Sequence, residues 1–169
     1  MKKILYILFA VCLFTACSSD DDNNPTTDEV YNTDGTYTEK GLQSMLQYSF
    51  NTDKSNIKYD TEQSQNLLSK KKDYSGEPTI FYHLDNNRLK MISRCYLRYE
   101  GDYQFFLKEV EKLNPPQKIE IQTSSTGYGD SLKQDSLSWV YNGYKILIRN
   151  GAIESLPTYS FLIIEYTKP

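Results

Sequence analysis

From Thr79 onward the sequence alternates. "TIFYHL" and "RLKMISRCYLRYE" are two strand-like runs joined by "DNN". Asn tolerates the positive φ that a tight hairpin turn demands. In the second run Leu89, Met91, Ser93, Cys95, Leu97 and Tyr99 share one face, while Lys90, Ile92, Arg94, Tyr96 and Arg98 share the other. A period of two residues predicts a half-buried strand. The signal returns in "SLSWVYNGYKILIRNG", where Asn142–Gly143 is a two-residue turn between apolar runs, and again in "YSFLIIEYT". Strands joined by turns this short must pair antiparallel. The pattern therefore restricts the chain to folds built on an antiparallel sheet.

Two stretches follow the helical period instead. Tyr103, Phe106, Leu107, Val110 and Leu113 form an apolar stripe, with Lys108, Glu109, Glu111 and Lys112 expected to face water. Asp102 is the expected N-cap of this helix, and Pro115–Pro116 stops it. A shorter helix is predicted after Thr38, whose hydroxyl can accept a free amide of the first turn. Leu42, Met45 and Leu46 recur at helical spacing there, although Gly41 weakens a helix by about 1 kcal/mol relative to Ala. Residues 51–77 are poor in apolar side chains and predict at most one short strand near Ile57–Tyr59. Lys118–Gln122 is a short strand candidate, and Ser124–Asp135 reads as a loop. The order is helix, irregular segment, hairpin, helix, strand, hairpin, strand. That predicts an α+β fold of two layers, an antiparallel β-sheet packed by one or two helices. Residues 36–169 form one domain of about 134 residues, and 15 Tyr and 7 Phe supply apolar surface for its core.

The N-terminus is organised differently. Lys2 and Lys3 precede an 11-residue apolar run, Ile4 to Phe14. A run of about 7–15 apolar residues behind a positive start is the pattern of a secretory signal. It is too short to span a bilayer, which takes about 20. "FTAC" resembles a bacterial lipobox, with Phe14 where Leu is more usual. The resemblance implies cleavage after residue 16 and acylation of Cys17, and two or three acyl chains hold a protein on a membrane. The next residues, "SSDDD", resemble the surface-export signal of Bacteroidota lipoproteins. They also make an acidic, self-repelling tether. Residues 1–16 are thus expected as a cleaved signal peptide and residues 17–35 as the lipidated Cys with a flexible linker. From Cys17 on, the chain carries 17 basic and 22 acidic residues, a net charge of −5. Its two remaining cysteines, Cys17 and Cys95, cannot form an internal disulfide if Cys17 carries lipid.

The residues suited to catalysis are scarce. His83 is the single imidazole, and Cys95 is expected to behave as a small buried hydrophobe. With one His and no Cys cluster, no metal spacing is present, no cofactor motif appears, and no catalytic constellation is legible. One candidate surface remains: the basic-aromatic ladder Lys90, Arg94, Tyr96 and Arg98. Interleaved cations and rings suit an anionic glycan or an acidic protein. An acidic chain with an envelope address speaks against nucleic acid. The alternative reading of the ladder is a solvated sheet face paired with acidic neighbours. Asp-Ser before an apolar residue, at Asp130–Leu132 and Asp135–Leu137, resembles the O-glycosylation site of Bacteroidota envelope proteins and makes Ser131 and Ser136 modification candidates. The hairpin–helix–hairpin layout, with Trp139 opening the second hairpin, resembles that of many small bacterial envelope lipoproteins. The expectation is a lipid-anchored outer-membrane protein, displayed at the cell surface, that binds a glycan or protein ligand without catalysis. A periplasm-facing assembly factor or an inhibitor is the alternative, and a hydrolase is a third.

Overall fold

A computed structural model describes residues 27–74, 76–97, 101–123, 130–132, 136–153 and 156–169. The helices are α1 (Thr27–Val30), α2 (Glu39–Leu46) and α3 (Tyr103–Glu111). The strands are β1 (Thr61–Ser64), β2 (Leu67–Lys70), β3 (Thr79–Asp85), β4 (Arg88–Leu97), β5 (Ile121–Thr123), β6 (Asp130–Leu132), β7 (Ser136–Tyr141), β8 (Tyr144–Ile153) and β9 (Leu156–Thr167). Seven of them form one sheet in the order β1-β2-β3-β4-β9-β8-β7, and every neighbouring pair is antiparallel. Two meanders, β1–β4 and β7–β9, thus lie side by side through the β4–β9 pair. The connection between them carries α3 and the small β5–β6 pair. The class is α+β, with a large sheet and a small helical part.

Both hairpin turns form where the Asn residues predict them. Asn86 and Asn87 have φ of 50° and 60°, and Asn142 and Gly143 have φ of 49° and 75°. Positive φ at both central positions is the turn whose twist matches the flanking strands. Thr38 caps α2 as expected, its Oγ1 accepting from the Gly41 amide at 2.9 Å. Gly41 sits in that first turn for a packing reason: an added Cβ would collide with the Val30 carbonyl. The span expected as linker up to Gly35 therefore contains α1, which docks on α2. Tyr31 then bridges to Tyr37, their rings stacked at 5.3 Å.

Residues 51–77 hold more sheet than the sequence predicts. Ile57–Tyr59 is no strand; it follows a 3₁₀ turn at Lys54–Asn56, with Ile57 buried. The strands are β1 and β2, on either side of Gln65–Asn66. β1 is an edge strand reading "TEQS", nearly all exposed, so no apolar alternation marks it. β6 falls inside the segment expected as a loop and pairs with β5.

The decisive local feature is in β4. Leu84 pairs with Leu89, but His83 pairs with Met91, so Lys90 is an extra residue on β4. Such a bulge shifts the side-chain alternation by one residue. Leu89 before it and Ile92, Arg94 and Tyr96 after it all face the hydrophobic core, with α2 and α3. Met91, Ser93 and Cys95 point to the opposite side. The core gathers Leu42, Leu46, Phe106, Val110 and Leu113 from the helical side against Tyr82, Ile92, Leu162 and Tyr166 of the sheet, all buried.

Candidate functional site

The expected ligand-binding ladder does not assemble as a surface. Lys90 stands exposed on the bulge and donates to Asn51 Oδ1 at 3.1 Å. Tyr96 is buried and meets Phe106 of α3 edge-on, ring centroids 5.7 Å apart. Arg94 lies beneath α3, its side chain 14% exposed, with Nε 3.4 Å from Glu109 Oε1, outside hydrogen-bonding geometry. Arg98 lies outside the described residues. The bulge is the physical reason: it turns these residues inward.

Glu109 corrects a second expectation. It does not face water; it is buried and acts as the acceptor of a tyrosine cluster. Tyr166 Oη donates to Glu109 Oε1 at 3.0 Å, and Tyr37 Oη to Oε2 at 3.5 Å. Burial, reinforced by the Glu109 charge, pushes the hydroxyls of Tyr37, Tyr96 and Tyr166 well above the ordinary tyrosine range, so they stay protonated donors. Asp102 is likewise no side-chain cap. Its carboxylate is fully buried and accepts from the Gly76 amide at 3.1 Å, the Leu97 amide at 3.2 Å and Lys72 Nζ at 2.9 Å. These two carboxylates hold the helical side together.

The opposite face of the sheet carries a groove of about 290 Å³. Residues directly opposite in antiparallel pairs share a face, and the register builds the floor in rows. Arg149 lies opposite Ile163, and Ile163 opposite Cys95. Glu165 lies opposite Ser93, and Ser93 opposite Phe81. Cys95 and Ile163 are buried, yet they stand outside the core cluster. Phe161, Leu67 and Gly151 complete the walls. Two polar pairs sit among these apolar side chains. His83 Nε2 and Ser93 Oγ are 2.8 Å apart. Arg149 Nε and Nη2 both donate to Glu165 Oε1, at 3.1 and 2.6 Å.

The sequence flagged His83 and Cys95 separately but gave no sign that they share a groove with Arg149 and Glu165. Those residues come from strands about seventy positions apart, and only the β4–β9 pairing joins them. Burial pushes the Cys95 thiol up to about 12, so it is a neutral thiol at physiological pH. β4 is paired on both sides, so the amides beside Ser93 serve the ladders. They are not free to stabilise an oxyanion, which a nucleophilic serine requires.

Burial lowers the His83 pKa from the usual 6.5; the Glu165 charge opposes that shift and the Arg149 charge adds to it. The unfolded chain therefore binds this proton more readily than the folded one. The stability that His83 supports is complete above about pH 6.5 and falls as pH drops through that value toward the lower folded pKa. His83→Gln should flatten this part of a stability-versus-pH curve measured by urea unfolding. An unchanged slope would show that other groups set it.

The other candidates divide. Ser136 is exposed on β7, and the Ser131 side chain and Cys17 lie outside the described residues. Among the described residues no helix is long and apolar enough to cross a membrane, and no three His, Cys, Asp or Glu side chains are grouped to hold a metal ion. Comparison with protein-family models, with curated proteins and with solved structures finds no match to this chain.

Proposed function

We propose that this protein is a lipid-anchored envelope lipoprotein, displayed on the cell surface, that works as a non-catalytic binding protein through the open face of its sheet. One observation carries the binding part: among the described residues the helices and the core lie on one face, and the other holds a groove with two polar pairs on an apolar floor. That composition, mostly apolar with a few fixed polar groups, is typical of ligand sites. The volume limits the ligand to a small molecule or a small group of a larger one. The address rests on the sequence, from the lipobox-like "FTAC" to the acidic run after Cys17. In this reading the anchor and tether hold a two-layer domain clear of the membrane.

The test combines lipid labelling with surface proteolysis. Cells fed a radiolabelled fatty acid should label the protein, and Cys17→Ser should abolish the label. A protease added to intact cells should digest it while a periplasmic control survives. Protection until lysis would overturn surface display, and label retained in the Cys17→Ser variant would overturn the anchor.

A further inference from the structure

Resting on the reading of the open face as a binding surface, we propose that the groove takes a small apolar carboxylate, an aryl or short alkyl acid whose carboxylate pairs with Arg149. The guanidinium is the starting point. Among the described residues, both of its hydrogen bonds close on a single oxygen, Glu165 Oε1. That side-on clasp orients the guanidinium plane, and among the described residues it leaves Nη1 without a bond. The Arg149 side chain is 44% exposed, whereas Glu165 is 8% exposed. The charge a ligand meets is therefore the cation, with its counter-charge beneath. A guanidinium has five N–H donors in a planar fork that matches a carboxylate. Glu165 occupies one edge, and a second carboxylate can take the outer one.

The row beside Arg149 sets the rest of the ligand. It runs through Ile163 to Cys95 across three strands, and Phe81 and Phe161 flank it. Strands about 4.8 Å apart make that row about 10 Å long, the length of an aromatic ring on a short chain. Gly151, two residues beyond Arg149, has no side chain; a Cβ there would lie 2.7 Å from Ile163 Cδ1. The charged end of the row thus stays open. A sugar would set part of its hydroxyls against Ile163, Cys95 and Phe81, which offer them no strong hydrogen-bond partner, and the guanidinium would repel a cation.

The test uses the full chain carrying Cys17→Ala, which removes the acyl chains, followed by amide NMR. Phenylbutyrate should shift resonances at Cys95, Arg149 and Ile163. Phenylbutanol, the same body without the charge, should bind about tenfold more weakly or less well still. The double variant Arg149→Gln/Glu165→Gln should treat the two alike. The comparison of acid with alcohol needs no substitution in the groove, so a groove variant that fails to fold does not blunt the test. Equal affinity for acid and alcohol in the chain with the native groove, or acid shifts away from this row, would overturn the assignment. Shifts in the row from a sugar or peptide but none from the acid would overturn the ligand class and leave the binding surface standing. No shift on this face from any of them would overturn both.

Discussion

Glu109→Ala is expected to lower the unfolding free energy by about 3–5 kcal/mol, the loss seen when one partner of a buried ion pair is removed. The substitution strands the Arg94 guanidinium beneath α3, and two tyrosine hydroxyls lose their acceptor. An orphaned buried charge cannot recover its hydration, so the penalty falls on what remains more than on what is lost. The control is Arg94→Met/Glu109→Leu, which removes both charges and keeps apolar volume. It should recover most of the loss, because well-packed apolar replacements of a buried pair are often neutral or stabilising. Urea unfolding followed by Trp139, the single tryptophan, reads both. A loss below about 1 kcal/mol for Glu109→Ala would place the pair in the class of solvated surface bridges.

Asp102→Ala should be comparably damaging, at about 3–5 kcal/mol, for the same reason of a broken buried ion pair. Three donors from two segments converge on this carboxylate: the Lys72 ammonium and the Gly76 amide from one, and the Leu97 amide from the other. They tie the 72–76 loop to the end of β4 and the start of α3. Cleavage by trypsin after Lys70, Lys71 or Lys72 should accelerate along with the drop in Tm. A variant that loses stability without faster cleavage there would mean that the loop is held by other contacts. Gly76 is one such contact, packed against the Phe105 ring.

Much of the fold is legible because it rests on local chemistry. Asn86–Asn87 and Asn142–Gly143 name their turns, Thr38 names a cap, and the stripe through Phe106 and Val110 names a helix. What stays hidden is non-local. Glu109 reads as a wet helix residue because its partners, Arg94, Tyr37 and Tyr166, lie on distant elements. β1 escapes because an exposed edge strand needs no apolar pattern. The groove escapes because its rows exist only once β9 slots between β4 and β8. The ladder misleads for a subtler reason: Leu89 to Tyr99 alternates without a break in the sequence, and only the pairing reveals that Lys90 is unmatched.

That unmatched lysine makes β4 a strand of two phases. Deleting Lys90 would restore strict parity and leave everything beyond it on its present face, because Leu89, Met91 and Ile92 would then alternate as their partners Leu84, His83 and Tyr82 do. A one-residue insertion after Ile92 would do the opposite: Ser93 and Cys95 would turn toward the helices, while Arg94 and Tyr96 would turn out into the groove. In the regularly paired run beyond the bulge a change in length keeps the faces only in twos, whereas at Lys90 itself a single residue can be lost, and single substitutions there are nearly free. A chain descended from this one can drift in composition and even drop a residue at the bulge, but not change its count by one from Met91 to Leu97.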